Sequence, residues 1–131
     1  MTEKLTYTYN YDKDADVLYL SFAPGEKATT AVELNDNILL RFNRTEKRAI
    51  GLTLMDFSVL IQLTKLGPRS FPLPGLAELE PEWQKIVIDL ITSPPVNQVL
   101  KVSTYTPSLT NEIPVVSVEK PPFSLPLQLA A

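Results

Sequence analysis

The chain has no cysteine and no histidine. Those two absences exclude disulfides, thiolate or imidazole metal sites, and every Cys–His or Ser–His–Asp mechanism. Acid–base work would fall to carboxylates, lysine or tyrosine. Only hard oxygen donors remain for a cation, so no tightly bound transition metal and no cofactor are expected. Glycine is scarce, with 4 residues in 131, and tryptophan occurs once. Of 12 prolines, Pro24 alone precedes Pro68. No apolar run reaches the roughly 18 residues that span a bilayer. Met1-Thr2-Glu3-Lys4 opens directly into strand pattern without an apolar leader, which makes a cytoplasmic protein the expectation. The net charge of −3 argues against a general nucleic-acid binder, which needs a basic face.

What is present reads as one α+β domain, an antiparallel β-meander with one main helix on one face. At 131 residues such a chain buries roughly two-thirds of its unfolded surface. Tyr7, Tyr9 and Tyr11 alternate with Thr8 and Asn10, the period of a strand with one buried face. Asp12-Lys13-Asp14-Ala15-Asp16 breaks that run, and Val17 to Phe22 starts another, giving a hairpin. Thr29 to Leu34, Ile38 to Asn43 and Ala49 to Met55 continue the alternation, with turns at Pro24-Gly25 and Asn35-Asp36-Asn37. Gly51, inside the last of these strands, predicts a bulge or a close backbone approach. Residues 56–66 read as a short helix capped by Asp56 or Ser58 and closed by Gly67, with a further strand as the alternative. Pro68 to Pro74 predicts a rigid linker or an extended strap. Trp83, Ile86, Val87 and Leu90 lie at i, i+3, i+4 and i+7 behind Pro81, predicting a helix from Leu79 to Thr92. Val99 to Tyr105 and Ile113 to Val118 read as two more strands, for five to seven in one sheet. The proline-rich tail from Lys120 reads as extended or disordered.

Tyr11-Asp12-x-x-x-Asp16-x-Leu18-Tyr19-Leu20, followed by Ile50-Gly51-Leu52-x-Leu54 and Asp56-x-Ser58, resembles the bacterial domain-of-unknown-function family twenty-two eighty-three over roughly residues 7 to 60. The family's acidic, glycine-containing turn before its isoleucine-glycine strand is replaced here by Asn43 to Arg48, which is basic and lacks glycine. The resemblance implies a small antiparallel sheet, no agreed activity and, for some relatives, an antitoxin-like partnership with a small toxin.

Several clusters carry candidate chemistry. Asp12, Asp14 and Asp16 form a D-x-D-x-D string that invites a Ca²⁺ reading. An EF-hand loop starting at Asp12 would need Gly and Glu where Val17 and Ala23 stand. The alternative is a turn whose aspartates accept backbone N–H groups. Tyr7, Tyr9, Tyr11 and Tyr19 suit a base-stacking platform or, more plainly, cross-strand packing. Arg41, Arg44, Lys47 and Arg48 form a basic cluster, either a solvated turn or a surface for an anionic partner such as nucleic acid. Trp83 is either the anchor of its helix or a partner hot spot. Glu46, Glu78, Glu80, Glu82 and Asp89 permit carboxylate pairs that sequence cannot bring together, and a carboxylate- or metal-dependent enzyme would draw on Asp12, Asp16 and Asp56. The reading that best fits is a non-catalytic protein-interaction module, self-associating as a two-fold dimer through an edge strand or through the tail with Phe123 and Leu125.

Overall fold

The computed structural model describes residues 7–119 and 121–123. Five antiparallel strands form the main sheet: β1 (Thr8–Asp12), β2 (Val17–Ser21), β3 (Thr30–Asn35), β4 (Ile38–Asn43) and β5 (Arg48–Met55), in the order β1-β2-β5-β4-β3. The α+β class is as expected, but the connectivity departs from a plain meander because β2 pairs with β5 rather than with β3. The alternation explains the burial. Leu18 and Leu20, Ile38, Leu40 and Phe42, and Leu52 and Leu54 fill one face and are all fully buried. Each such leucine removed from water contributes about 1.5–3 kcal/mol. A register shift between Arg41 and Phe42 places the expected bulge in β5 at the Ala49–Ile50 step.

The sheet is followed by a four-residue helix, α1 (Phe57–Leu60), and then by two short strands, β6 (Leu63–Thr64) and β7 (Gly67–Pro68), which pair with each other. The expected helix through Leu66 is therefore cut to one turn. Gly67, at φ 121°, shapes the β6–β7 turn instead of closing a helix. The expected strap becomes β8 (Phe71–Pro72) and a second one-turn helix, α2 (Pro74–Ala77). The main helix, α3 (Pro81–Ile91), starts with proline in its first turn and buries Val87, Leu90 and Ile91. A 3-10 turn, Val96–Gln98, leads into the long hairpin of β9 (Leu100–Ser108) and β10 (Asn111–Val118).

The expectation that this hairpin extends the main sheet is corrected. The hairpin forms a separate three-stranded sheet in the order β8-β10-β9. The reason lies at the outer edge of β3. Helix α2 packs there so closely that a Cβ on Gly75 would stand 1.8 Å from the Glu33 carbonyl oxygen. Asn35 Nδ2 also donates to the Pro72 carbonyl at 3.2 Å. That edge is covered and has no room for another strand. Both halves still share one core, since Val96, Val99, Leu100, Val116 and Val118 pack into the same cluster as the leucines of the main sheet.

Candidate functional site

The β1–β2 turn is closed by its own aspartates. Asp12 Oδ1 accepts the Ala15 N–H at 3.1 Å, a local Asx-type turn. Asp16 adopts φ 56°, a left-handed conformation that Asp tolerates better than most residues. Its carboxylate then gathers donors from two elements. Tyr11 Oη donates to Oδ1 at 2.7 Å, Ser58 Oγ donates to Oδ2 at 2.6 Å, and the Ser58 N–H donates to Oδ1 at 3.0 Å. The Asp16 carbonyl accepts the Phe57 N–H at 3.0 Å.

Asp16 is thus the cap of α1, supplied from 42 residues away in sequence. The sequence expectation that Asp56 or Ser58 caps this helix is corrected. Asp56 sits at the N-cap position at φ 55° without a side-chain cap bond. Its Oδ2 accepts Asn37 Nδ2 at 2.8 Å instead, while the same amide reaches the Met55 carbonyl at 3.0 Å. Burial raises the Asp16 carboxyl pKa, but the hydrogen bonds from Ser58 and Tyr11 outweigh it and hold the group below its ordinary range. The bond to Asp16, with burial and the nearby carboxylate charges, pushes Tyr11 up to about 12. An ionised carboxylate with both oxygens engaged is a poor proton acceptor, and this one works as a clasp between hairpin and helix.

Residues 8–58 match the family model described as Protein of unknown function (DUF2283). The matched segment spans the whole five-stranded sheet and ends at Ser58, the donor that closes the Asp16 clasp. No curated protein and no solved structure matches the chain. The matched segment carries the Tyr11, Asp16, Asp56 and Ser58 positions of the resemblance, and the structure gives these residues hydrogen bonds that hold the fold.

The other candidate residues scatter. Asp14 is exposed and does not join Asp12 and Asp16 around a common centre. Among the described residues no three acidic side chains converge at metal-ligand spacing. The tyrosines do not form one platform. Tyr7, Tyr9 and Tyr11 face the core side, whereas Tyr19, paired with Asn10, faces the opposite side of the sheet. Tyr7 meets Phe22 edge-on at 5.8 Å, and Tyr11 meets Phe57 at 5.6 Å.

The basic cluster also divides. Arg48 is engaged by Glu26 and Glu46, which raise its pKa further. Arg44 lays its guanidinium over Trp83 at 4.4 Å, a cation–π contact. Lys47 stands at φ 52° in the exposed β4–β5 turn, and Arg41 lies on the open face of the sheet. Trp83 is half-buried and packs edge-on against Phe42 at 6.0 Å, in the position of a helix anchor. Phe123 stacks on Tyr9 at 5.4 Å and touches Tyr11 and Phe57. It therefore adds to the core edge, although no core was expected for the tail. Leu125 lies outside the described residues.

A groove of about 560 Å³ runs between α3 and the β4–β5 turn. Phe22, Ile86 and Leu90 contribute apolar surface to it, and Lys47, Lys85, Glu82 and Asp89 contribute charges of both signs. None of Asp12, Asp14, Asp16 or Asp56 lines it. Sequence reasoning missed the pairing of Asp16 with Ser58. Their joint presence in the resemblance motif was the available signal.

Proposed function

We propose that this chain is a non-catalytic protein-interaction module that pairs with a second copy of itself through the outer edge of β9, with a cytoplasmic setting kept as part of the proposal. The observation that carries this reading is the length and neutrality of that edge. Strand β9 is nine residues long, and from Val102 to Ser108 it carries no charge. Unpaired N–H and C=O groups on such an edge are a template for another strand. The polarity of the ladder identifies which groups point away from β10. The Pro114 carbonyl accepts the Leu73 N–H, so Pro114 directs its polar groups toward β8. Thr104, its partner across the ladder, accordingly directs its own N–H and C=O away from β10.

Two further features favour association at this end. Tyr105, Ile113, Val115 and Pro72 line an open trough of about 450 Å³ beside the strand. Leu109 at the hairpin tip is fully exposed. Antiparallel pairing of two β9 strands about a two-fold axis is isologous and closed.

Sedimentation across a wide concentration range tests the proposal. The wild-type chain should show a reversible dimer, and Thr104→Pro should be monomeric with an unchanged fold, since it deletes an outward N–H and leaves the β9–β10 bonds intact. A wild-type monomer at every concentration, or a dimer indifferent to Thr104→Pro, refutes edge pairing by β9.

A further inference from the structure

We propose that Arg41 is the anchor of a binding cup for an oxyanion, a carboxylate or phosphate group carried by a small molecule, on the open face of the five-stranded sheet. Arg41 sits in β4 between Ala31 of β3 and Gly51 of β5. Its side chain lies across Gly51 so closely that a Cβ there would stand 2.6 Å from Nη2 and 3.1 Å from Cζ. A side chain at position 51 would therefore displace the guanidinium from this place.

The guanidinium held in this way is left without a counterpart. Its Nε is buried and has no hydrogen-bond partner among the described residues. No carboxylate comes within ion-pair distance of it there. Two acids share its face of the sheet by strand alternation: Glu33, opposite Leu39, and Asp12, opposite Val17. Glu33 is exposed and makes no bond to Arg41, and Asp12 is turned to the Ala15 N–H. A buried donor left unpaired is costly to a fold, and the terminal nitrogens of the same guanidinium are neither buried nor bonded among the described residues.

The space beside Arg41 is suited to an acceptor. Thr8, Asn10, Tyr19 and Ser21 line a cup of about 170 Å³ together with Arg41. Hydroxyls and an amide supply donors there, and no acidic side chain enters the lining. The planar fork of arginine matches the paired oxygens of a carboxylate or phosphate. The volume of about 170 Å³ admits one such charged group. The pair Arg41 and Gly51 thus builds a positive, donor-rich recess on a face that the core does not use. This site lies in the main sheet and does not depend on pairing through β9.

Nitrogen-15 NMR of the arginine Nε–Hε signals tests it with two separate probes, inorganic phosphate and acetate, against chloride at equal ionic strength. At least one oxyanion should move the Arg41 signal saturably while the Arg44 and Arg48 signals move little, and the stronger arm identifies the chemistry. Arg41→Lys, which keeps charge and loses the fork, should weaken that response at least tenfold. In buffer free of both anions, Arg41→Met should raise the denaturant midpoint, because it removes an unsatisfied buried donor; the effective anion should raise the midpoint of wild type alone. An Arg41 signal unmoved by either oxyanion, or moved equally by chloride, overturns the proposal. So does a midpoint that the anion raises as much in Arg41→Met as in wild type.

Discussion

The matched segment and the β9–β10 hairpin are both antiparallel, yet they are finished in opposite ways. In the first, polar side chains close the structure on itself. Asp12 closes a turn, Asp16 clasps α1, and Asn37 ties the β3–β4 turn to Met55 and Asp56. One sheet edge is covered by α2. In the hairpin, by contrast, residues 103–112 are exposed on both faces, and among the described residues no element covers the outer edge. The difference separates what stabilises this chain from what it presents. Polar groups spent inside the first region are unavailable to a ligand, whereas the second leaves backbone groups and apolar side chains unspent.

The largest effect should come from breaking the cover on β3. Gly75→Ala drives a Cβ into the Glu33 carbonyl, a backbone atom that cannot swing aside. It should cost about 3 kcal/mol or more in denaturant unfolding, at the upper end for overpacking. Gly25→Ala, at φ 85° with open space around it, should cost only about 1 kcal/mol from backbone strain. Equal losses would mean that α2 does not seal that edge.

The clasp comes next. Asp16→Ala removes a cap and three donors' acceptor at once and should cost about 2–3 kcal/mol. Asp14→Ala, at an exposed position, should stay within about 0.5 kcal/mol. The Asp16–Ser58 pair should show clear coupling in a double-mutant cycle. Additive losses would show that the two residues act separately.

The clasp also predicts a pH dependence with two limbs. The Asp16 carboxyl is lowered in the folded state, so its contribution is complete above the unfolded pKa and is lost as pH falls through the folded one. Tyr11 is raised to about 12. Its contribution is complete below the unfolded value near 10 and is lost as pH climbs from there toward the folded value. Asp16→Asn should flatten the acid limb, and Tyr11→Phe the alkaline one. Stability profiles that keep both limbs in the variants would place the titration elsewhere.

The strands of the main sheet were legible because leucine, isoleucine and phenylalanine alternate with polar residues, as in Leu40 and Phe42 around Arg41. Helix α3 was legible from the stripe of Trp83, Ile86, Val87 and Leu90. Strands β6 to β8 have two residues each, too few for any periodicity to register. The clasp was not legible as geometry because Asp16 and Ser58 are joined only by the fold. Strand β9 runs on to Ser108, past the expected end at Tyr105, because Pro107 reads as a breaker while the pairing of Ser108 with Asn111 carries the ladder onward. Gly51 was legible as a place of close approach, but the group that approaches, Arg41, was not.

The smallest effect is the most diagnostic of the comparison. Leu109→Ser, at a fully exposed tip, should leave monomer stability within about 0.5 kcal/mol and weaken dimerisation. Amide hydrogen exchange along β9 tests edge pairing most directly. Ser103 and Tyr105 face β10 and should be protected at every concentration. Val102 and Thr104 direct their amides outward and should be protected only where the chain dimerises, losing that protection on dilution. Outward amides that exchange at the rate of free backbone in concentrated protein would contradict an interface built on this edge.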